Sequence, residues 1–153
     1  MIIGGPRTDI LTGVHEHTRT ADPAGSRDAE DRDPTARRPL LSVIVPCFNQ
    51  GGSIYRNVGE IVRRLDHAGL DHELIVVSDG SSDTTVFEAA RHPGVRVLRY
   101  DRNLGKGYAL RTGSAAARGA WIAWIDSDLD LDPSLLSDFL DRARRDDLEI
   151  VIG

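Results

Sequence analysis

The stretch Leu41-Ser42-Val43-Ile44-Val45-Pro46-Cys47-Phe48-Asn49-Gln50 starts as an apolar, β-branched run and closes on a proline and a polar turn. That pattern predicts a short buried strand over Leu41 to Pro46. After it, Ser53 is placed to cap a helix in which Ile54, Val58, Ile61, Val62 and Leu65 share one face, and Gly69 stops the helix. Glu73 to Val77 reads as a second strand. Gly80-Ser81-Ser82-Asp83 reads as a turn that caps a short helix with Val86, Ala89 and Ala90 inward. Val95 to Tyr100 alternates as an edge strand would. Gly105 to Arg118 reads as a helix whose Ala109, Leu110, Gly113, Ala116 and Ala117 face can sit close to a sheet. Ala120 to Ile125 is a fourth strand, apolar on both faces. Asp132 caps and Pro133 opens a helix carrying Leu135, Leu136, Phe139, Leu140 and Ala143, and Leu148 to Ile152 is a fifth strand. Strands alternating with helices at this spacing imply right-handed crossovers and a parallel sheet, a Rossmann-like α/β three-layer sandwich.

Upstream of Leu40 the composition changes. Residues 1–39 carry six arginines against seven acidic residues, and beyond Val14 no Ile, Leu, Val, Phe, Trp or Tyr occurs before Leu40. Such a segment buries too little apolar surface to offset the entropy of ordering, so it is expected to be a disordered tail, open to proteolysis and dispensable for folding. The whole chain of 153 residues is 40% hydrophobic and 28% charged, which suits one soluble domain over residues 40–153. A net charge of −5 argues against a protein held by nucleic-acid phosphates. A single cysteine, Cys47, cannot form an internal disulfide, which suits a reducing compartment and a cytoplasmic location. Arginine supplies 18 of the 19 basic residues, the usage of a GC-rich, bacterial genome.

Ligands on such sheets bind beyond the carboxyl ends of the strands, and here those ends carry the chemistry. The first strand runs into Cys47-Phe48-Asn49-Gln50 and the second into Ser78-Asp79-Gly80. The third is followed by Asn103, Gly105, Lys106 and Gly107. The fourth runs into Asp126-Ser127-Asp128-Leu129-Asp130-Leu131-Asp132, four carboxylates in seven residues. These repel one another unless a cation joins them, and hard oxygen ligands suit Mg²⁺ or Mn²⁺. For Asp132 a helix cap is the better account; for Asp126 and Asp128 a solvated turn and a metal site weigh equally on spacing alone. An EF-hand loop fails, because Leu131 and Ser137 stand where glycine and glutamate are required. A Walker A loop fails at Tyr100 and Tyr108, and no Gly-x-Gly-x-x-Gly follows the first strand. The five histidines show no metal spacing.

The segments Ser42 to Gln50, Ile75 to Asp83, Asn103 to Leu110 and Asp126 to Leu129 resemble, in order and at the right spacing, the inverting family 2 glycosyltransferases of the GT-A fold. The likeness is to the branch of dolichol-phosphate mannose synthase and polyprenyl-phosphate glycosyltransferases. This resemblance implies a hexosyltransferase taking sugar from a nucleotide-diphosphate sugar such as GDP-mannose or UDP-glucose. It implies a polyprenyl-phosphate (lipid-phosphate) acceptor, a divalent ion and inversion. Carried over by position, Pro46, Phe48 and Gln50 would line the base and ribose. Asp79 would bind the base with Val77 beside it. Asp126, Ser127 and Asp128 would form the DxD element, Asp126 toward the ribose or sugar and Asp128 toward the metal, with Asp126, Asp128 and Asp130 as the metal candidates and Lys106 near the donor. Phe48 and Gln50 stand where the family has Tyr and Glu, so stacking survives while a hydroxyl and a charge are lost.

On the same resemblance the chain is expected to be the donor-binding part of a longer enzyme, truncated after the fifth strand, with the catalytic base elsewhere. A bare apolar strand edge is then expected, with self-association through it. A peripheral position at the cytoplasmic membrane face is a further expectation. The alternative from another class is a non-catalytic nucleotide-binding or scaffold module of the same fold. A phosphatase using Asp126 as nucleophile is a third reading.

Overall fold

The computed structural model describes residues 38–152 together with the backbone of 2–4. Ten elements follow in chain order: β1 (Ile2–Gly4), β2 (Leu41–Cys47), α1 (Ile54–His67), β3 (His72–Asp79), α2 (Thr85–Ala89), β4 (Val95–Tyr100), α3 (Lys106–Ala116), β5 (Trp121–Trp124), α4 (Leu135–Arg145) and β6 (Ile150–Val151). They form one sheet ordered β4-β3-β2-β5-β1-β6. β2, β3, β4 and β5 run parallel, with β2 in the middle and β4 at the edge its alternation predicts.

Period-2 alternation sorts the core into two layers. Val43 and Val45 of β2, Leu74 and Val76 of β3 and Ala123 of β5 pack with Ile54, Val58, Ile61 and Leu65 of α1, Ala89 of α2, and Leu136 and Leu140 of α4. Ile44, Ile75 and Val77 face the other way, onto Ala109 of α3 and Ala117 just beyond it. The α3 side is thin because its face is built of small residues. A Cβ on Gly113 would stand 2.3 Å from Ile44 Cγ2, so only glycine lets the helix lie this close.

Several local expectations are corrected. Ser53 precedes α1, but its side chain makes no capping bond: its ψ of −27° is not the extended geometry that aims the oxygen back. The amides of Ser53 and Ile54 instead donate to the Gln50 carbonyl at 2.9 and 2.8 Å. Ala90 and Leu135 are exposed. The last strand shrinks to Ile150–Val151 because Leu148 belongs to the end of α4. There Asp147 takes a left-handed φ of 51°, and the Leu148 amide donates to the Ala143 carbonyl at 2.8 Å, a Schellman closure. Asp132 does act at the head of α4: its Oδ1 accepts from the Ser134 amide at 3.0 Å and meets Arg64 Nη1 at 3.0 Å.

The N-terminal expectation changes for three residues. Ile2–Gly4 form an antiparallel strand between β5 and β6, in register Ile2 with Ala123 and Ile3 with Ile150. The sheet is therefore mixed. The sheet is extended beyond β5 by this strand, an Ile-Ile pair of high strand propensity that supplies a further ladder. The two-residue β6 is the edge on that side. The rest of the expected tail, residues 5–37, lies outside the described residues. Among the described residues, no helix is long and apolar enough to cross a membrane.

Candidate functional site

The carboxyl ends of β2, β3 and β5 and the loop before α3 open onto one cleft of about 330 Å³. It is lined by Pro46, Cys47, Phe48, Gln50, Asp79, Asn103, Gly105, Lys106, Asp126, Ser127 and Asp128. Eight side chains picked out from sequence thus meet in one place: Pro46, Phe48, Gln50, Asp79, Lys106, Asp126, Ser127 and Asp128. Val77 and Asp130 are not among the lining residues. Val77 falls on the α3 side of β3, packed in the core with Ile44 and Ile75. Asp130 stands past the cleft, its amide donating to Asp128 Oδ1 at 3.2 Å.

Asp79 closes the floor. It is 4% exposed, and its Oδ1 accepts from the Leu104 amide at 2.7 Å, so β3 and the β4–α3 loop are tied at the cleft wall. Gly80, at φ +69°, makes this approach feasible: a Cβ there would sit 2.3 Å from the Asn103 nitrogen. On the opposite wall the loops after β2 and β3 are stitched together. The Asn49 amide donates to Ser81 Oγ at 3.1 Å, and Asn49 Oδ1 accepts from the Ser82 amide at 2.9 Å. Gly51 donates to Asp83 Oδ2 at 2.9 Å. Asp83 also accepts from the Thr85 amide at 2.9 Å, the local cap expected from sequence. The Thr85 hydroxyl joins Asp83 as well. These bonds hold the carboxyl of Asp83 below its ordinary value, with the Thr85 hydroxyl the largest cause. Phe48 lines the cleft and is 45% exposed.

Two carboxylates and one ammonium meet at the mouth of the cleft. Asp126 and Asp128 are exposed on the turn after β5, and Lys106 Nζ lies 2.5 Å from Asp126 Oδ1. Among the described residues no three His, Cys, Asp or Glu side chains converge. A divalent ion would therefore take two hard oxygen donors, from Asp126 and Asp128, and draw its remaining ligands from water or from a bound diphosphate. That donor set fits Mg²⁺ or Mn²⁺. Burial first, then the charges of Asp83 and Asp79, push the Cys47 thiol up to about 12, which disfavours the thiolate form. The Tyr100 hydroxyl is buried without a hydrogen-bond partner among the described residues. Burial and the nearby Asp79 carboxylate raise its pKa.

Sequence reasoning passed over Cys47 and Asn103 as lining residues, although both lie in the loops it singled out. It also passed over Asn57 of α1, whose signal was a polar residue between Ile54 and Val58 on an apolar helix face.

A family profile described as glycosyl transferase family 2 matches residues 42–153. The chain belongs to that family. Among relatives of this family 2 domain, the dodecaprenyl-phosphate galacturonate synthase of Rhizobium johnstonii is 34% identical over 122 residues, covering 74% of this chain and 35% of the relative. The succinoglycan biosynthesis protein ExoO of Rhizobium meliloti is 37% identical over 107 residues, covering 69% of this chain and 30% of the relative. Among solved structures, the mannosyltransferase PcManGT from Pyrobaculum calidifontis, in complex with GDP-Man and Mn²⁺, superposes with a TM-score of 0.59 at 27% identity. The match covers 72% of this chain and 34% of that one. The family 2 domain thus spans about a third of the length of these relatives. Its helices on both faces of a central parallel sheet match the GT-A glycosyltransferase arrangement expected from sequence.

Proposed function

We propose that this family 2 glycosyltransferase chain binds a nucleotide-diphosphate sugar in the cleft and serves transfer of its hexose, with inversion, to a lipid-phosphate acceptor. The observation that carries the proposal is the convergence of Asp79, Lys106, Asp126 and Asp128 on one cleft beyond the strand ends. The buried Asp79 is placed to accept hydrogen bonds from a base edge with its remaining lone pairs, and the Phe48 ring offers a stacking face. Lys106 stands where a diphosphate would lie and can exchange its Asp126 contact for a phosphate oxygen. Transfer breaks the bond between the anomeric carbon and the diphosphate oxygen, which leaves with the electron pair. An acceptor phosphate oxygen forms the new bond from the opposite face. A bound Mg²⁺ or Mn²⁺ would neutralise the charge growing on the departing diphosphate. Asp126 and Asp128 are the residues that would hold it, with Asp130 behind them at most as support for Asp128. The name of the galacturonate synthase supports the acceptor class, and the ligands of PcManGT support the donor and metal classes. Such an acceptor would place the enzyme at the cytoplasmic membrane face.

The test is titration calorimetry with GDP-mannose and UDP-glucose, in Mn²⁺ and in chelator. Asp128→Asn keeps the shape of the turn and removes one charge. Mn²⁺-dependent nucleotide affinity is expected to fall at least tenfold, about 1.4 kcal/mol, with the ligand-free Tm little changed. A variant that melts far lower yet binds as before would make Asp128 a structural residue and remove the metal from this reading.

A further inference from the structure

Asn57 is the one feature of α1 that its packing does not explain. It occupies the apolar face between Ile54, Val58 and Ile61, all fully buried, and is itself 8% exposed. A buried amide there costs free energy unless bonded, where leucine would only add packing. Its Nδ2 donates to the backbone carbonyl of Ser127 at 2.7 Å. The Ser127 hydroxyl donates to Gln50 Oε1 at 2.6 Å, and the Gln50 backbone amide donates to Thr85 Oγ1 at 2.7 Å. A continuous relay therefore runs from α1 through the residue between Asp126 and Asp128 to the loops after β2 and β3. The carboxylate turn is also held by the Ser127–Gln50 and Asp130–Asp128 bonds and by Leu129 and Leu131 packed against the core, but among the described residues only Asn57 grips its backbone from the helix behind. Asp126 and Asp128 are exposed, and Leu129 is held at a left-handed φ of 68°, a conformation a leucine keeps only when its surroundings enforce it.

We infer that Asn57 is a positioning residue: by gripping the Ser127 carbonyl from behind, it sets the separation and facing of the Asp126 and Asp128 carboxylates. It lies behind the turn and outside the lining of the cleft. This inference rests on the donor-site reading above. Its first test does not use the donor. In hydrogen exchange of the ligand-free chain, Asn57→Leu, which suits an apolar helix face, is expected to speed exchange about tenfold across Ile125 to Asp130. The β2 and β3 peptides should stay at wild-type rates. Asn57→Ala gives the same readout should leucine disturb folding. In calorimetry with GDP-mannose, the same variants are expected to lose about tenfold of the Mn²⁺-dependent affinity while the affinity in chelator stays within twofold. Unchanged exchange in the carboxylate turn, or faster exchange throughout the chain, would overturn the role of Asn57. A wild-type chain without Mn²⁺-dependent nucleotide affinity would sink the donor-site reading instead, while exchange would still decide whether Asn57 holds the turn.

Discussion

Gly80→Ala is expected to lower stability by about 4 kcal/mol, from left-handed strain of about 1–3 kcal/mol and overpacking of about 1–3 kcal/mol. The new Cβ would meet the Asn103 nitrogen at 2.3 Å and the Arg102 carbonyl carbon at 2.4 Å. These are backbone atoms, which cannot swing aside as a side-chain tip would. The loop carrying Asn103, Gly105 and Lys106 must retreat, and the Leu104–Asp79 bond that ties the cleft wall goes with it. Nucleotide affinity should therefore fall along with the urea midpoint. Gly69 is the control. It shares the left-handed backbone, φ +67°, but an added Cβ there would meet nothing within 4 Å. Gly69→Ala should cost only the conformational part, about 1–3 kcal/mol. Equal midpoints for the two variants would mean that the close approach at Gly80 carries no weight.

The second large effect lies at the opposite end of the sheet. Glu73, at the start of β3, gathers three partners: the Ser42 hydroxyl at 2.6 Å, the Arg118 amide at 2.5 Å, and Arg96 Nη1 at 2.7 Å, which also reaches the Ala116 carbonyl at 3.0 Å. Ser42 in turn accepts from the Gly119 amide at 2.8 Å. The cluster fastens the exit of α3 to the central strand. Glu73→Ala leaves the part-buried Arg96 and the fully buried Ser42 without their carboxylate, a loss of about 1–3 kcal/mol. The pH dependence has a definite sign. Burial raises the Glu73 carboxyl, but the Ser42, Arg118 and Arg96 bonds together lower it further, so it ends below the ordinary value of 4.5. A carboxyl depressed on folding contributes stability that is fully present above its unfolded value. That stability is lost as pH falls through the folded one. Acid titration of Tm should therefore show a Glu73 component starting near pH 4.5 and continuing downward, and Glu73→Gln should remove it. A Glu73→Gln acid profile superimposable on wild type would show that other carboxylates carry the acid limb.

Local pattern and spacing carried much of this molecule. The runs at Leu41, Glu73, Val95 and Ala120 each placed a strand, because a β-branched run ending at a turn has few other solutions. Chemistry concentrated at strand ends then found the cleft. What escaped was set by partners distant in sequence. Asn57 reaches Ser127, Gly51 reaches Asp83, and Gly80 lies against Asn103, and none of these pairs leaves a mark in local spacing. The resemblance set Val77 beside Asp79, and the pleat does give the two one face of β3, but Val77 lies two residues inside the strand, where that face is covered by α3, and only Asp79 at the strand end reaches the cleft. Leu148 looked like strand until the left-handed turn at Asp147 claimed it for the helix end. The pairing of Ile2–Gly4 with β5 and β6 was invisible for the same reason: two isoleucines carry no information about which edge they will meet.

The contact between Lys106 and Asp126 has a practical side. Lys106 is the single lysine in the sequence, and its ammonium sits at the rim of the cleft, 60% exposed. An amine-selective reagent thus has one side chain to acylate. The extent of labelling becomes a direct gauge of what occupies the space between the ammonium and the carboxylates. The molecule carries its own site-specific reporter, readable by mass spectrometry without any engineered tag.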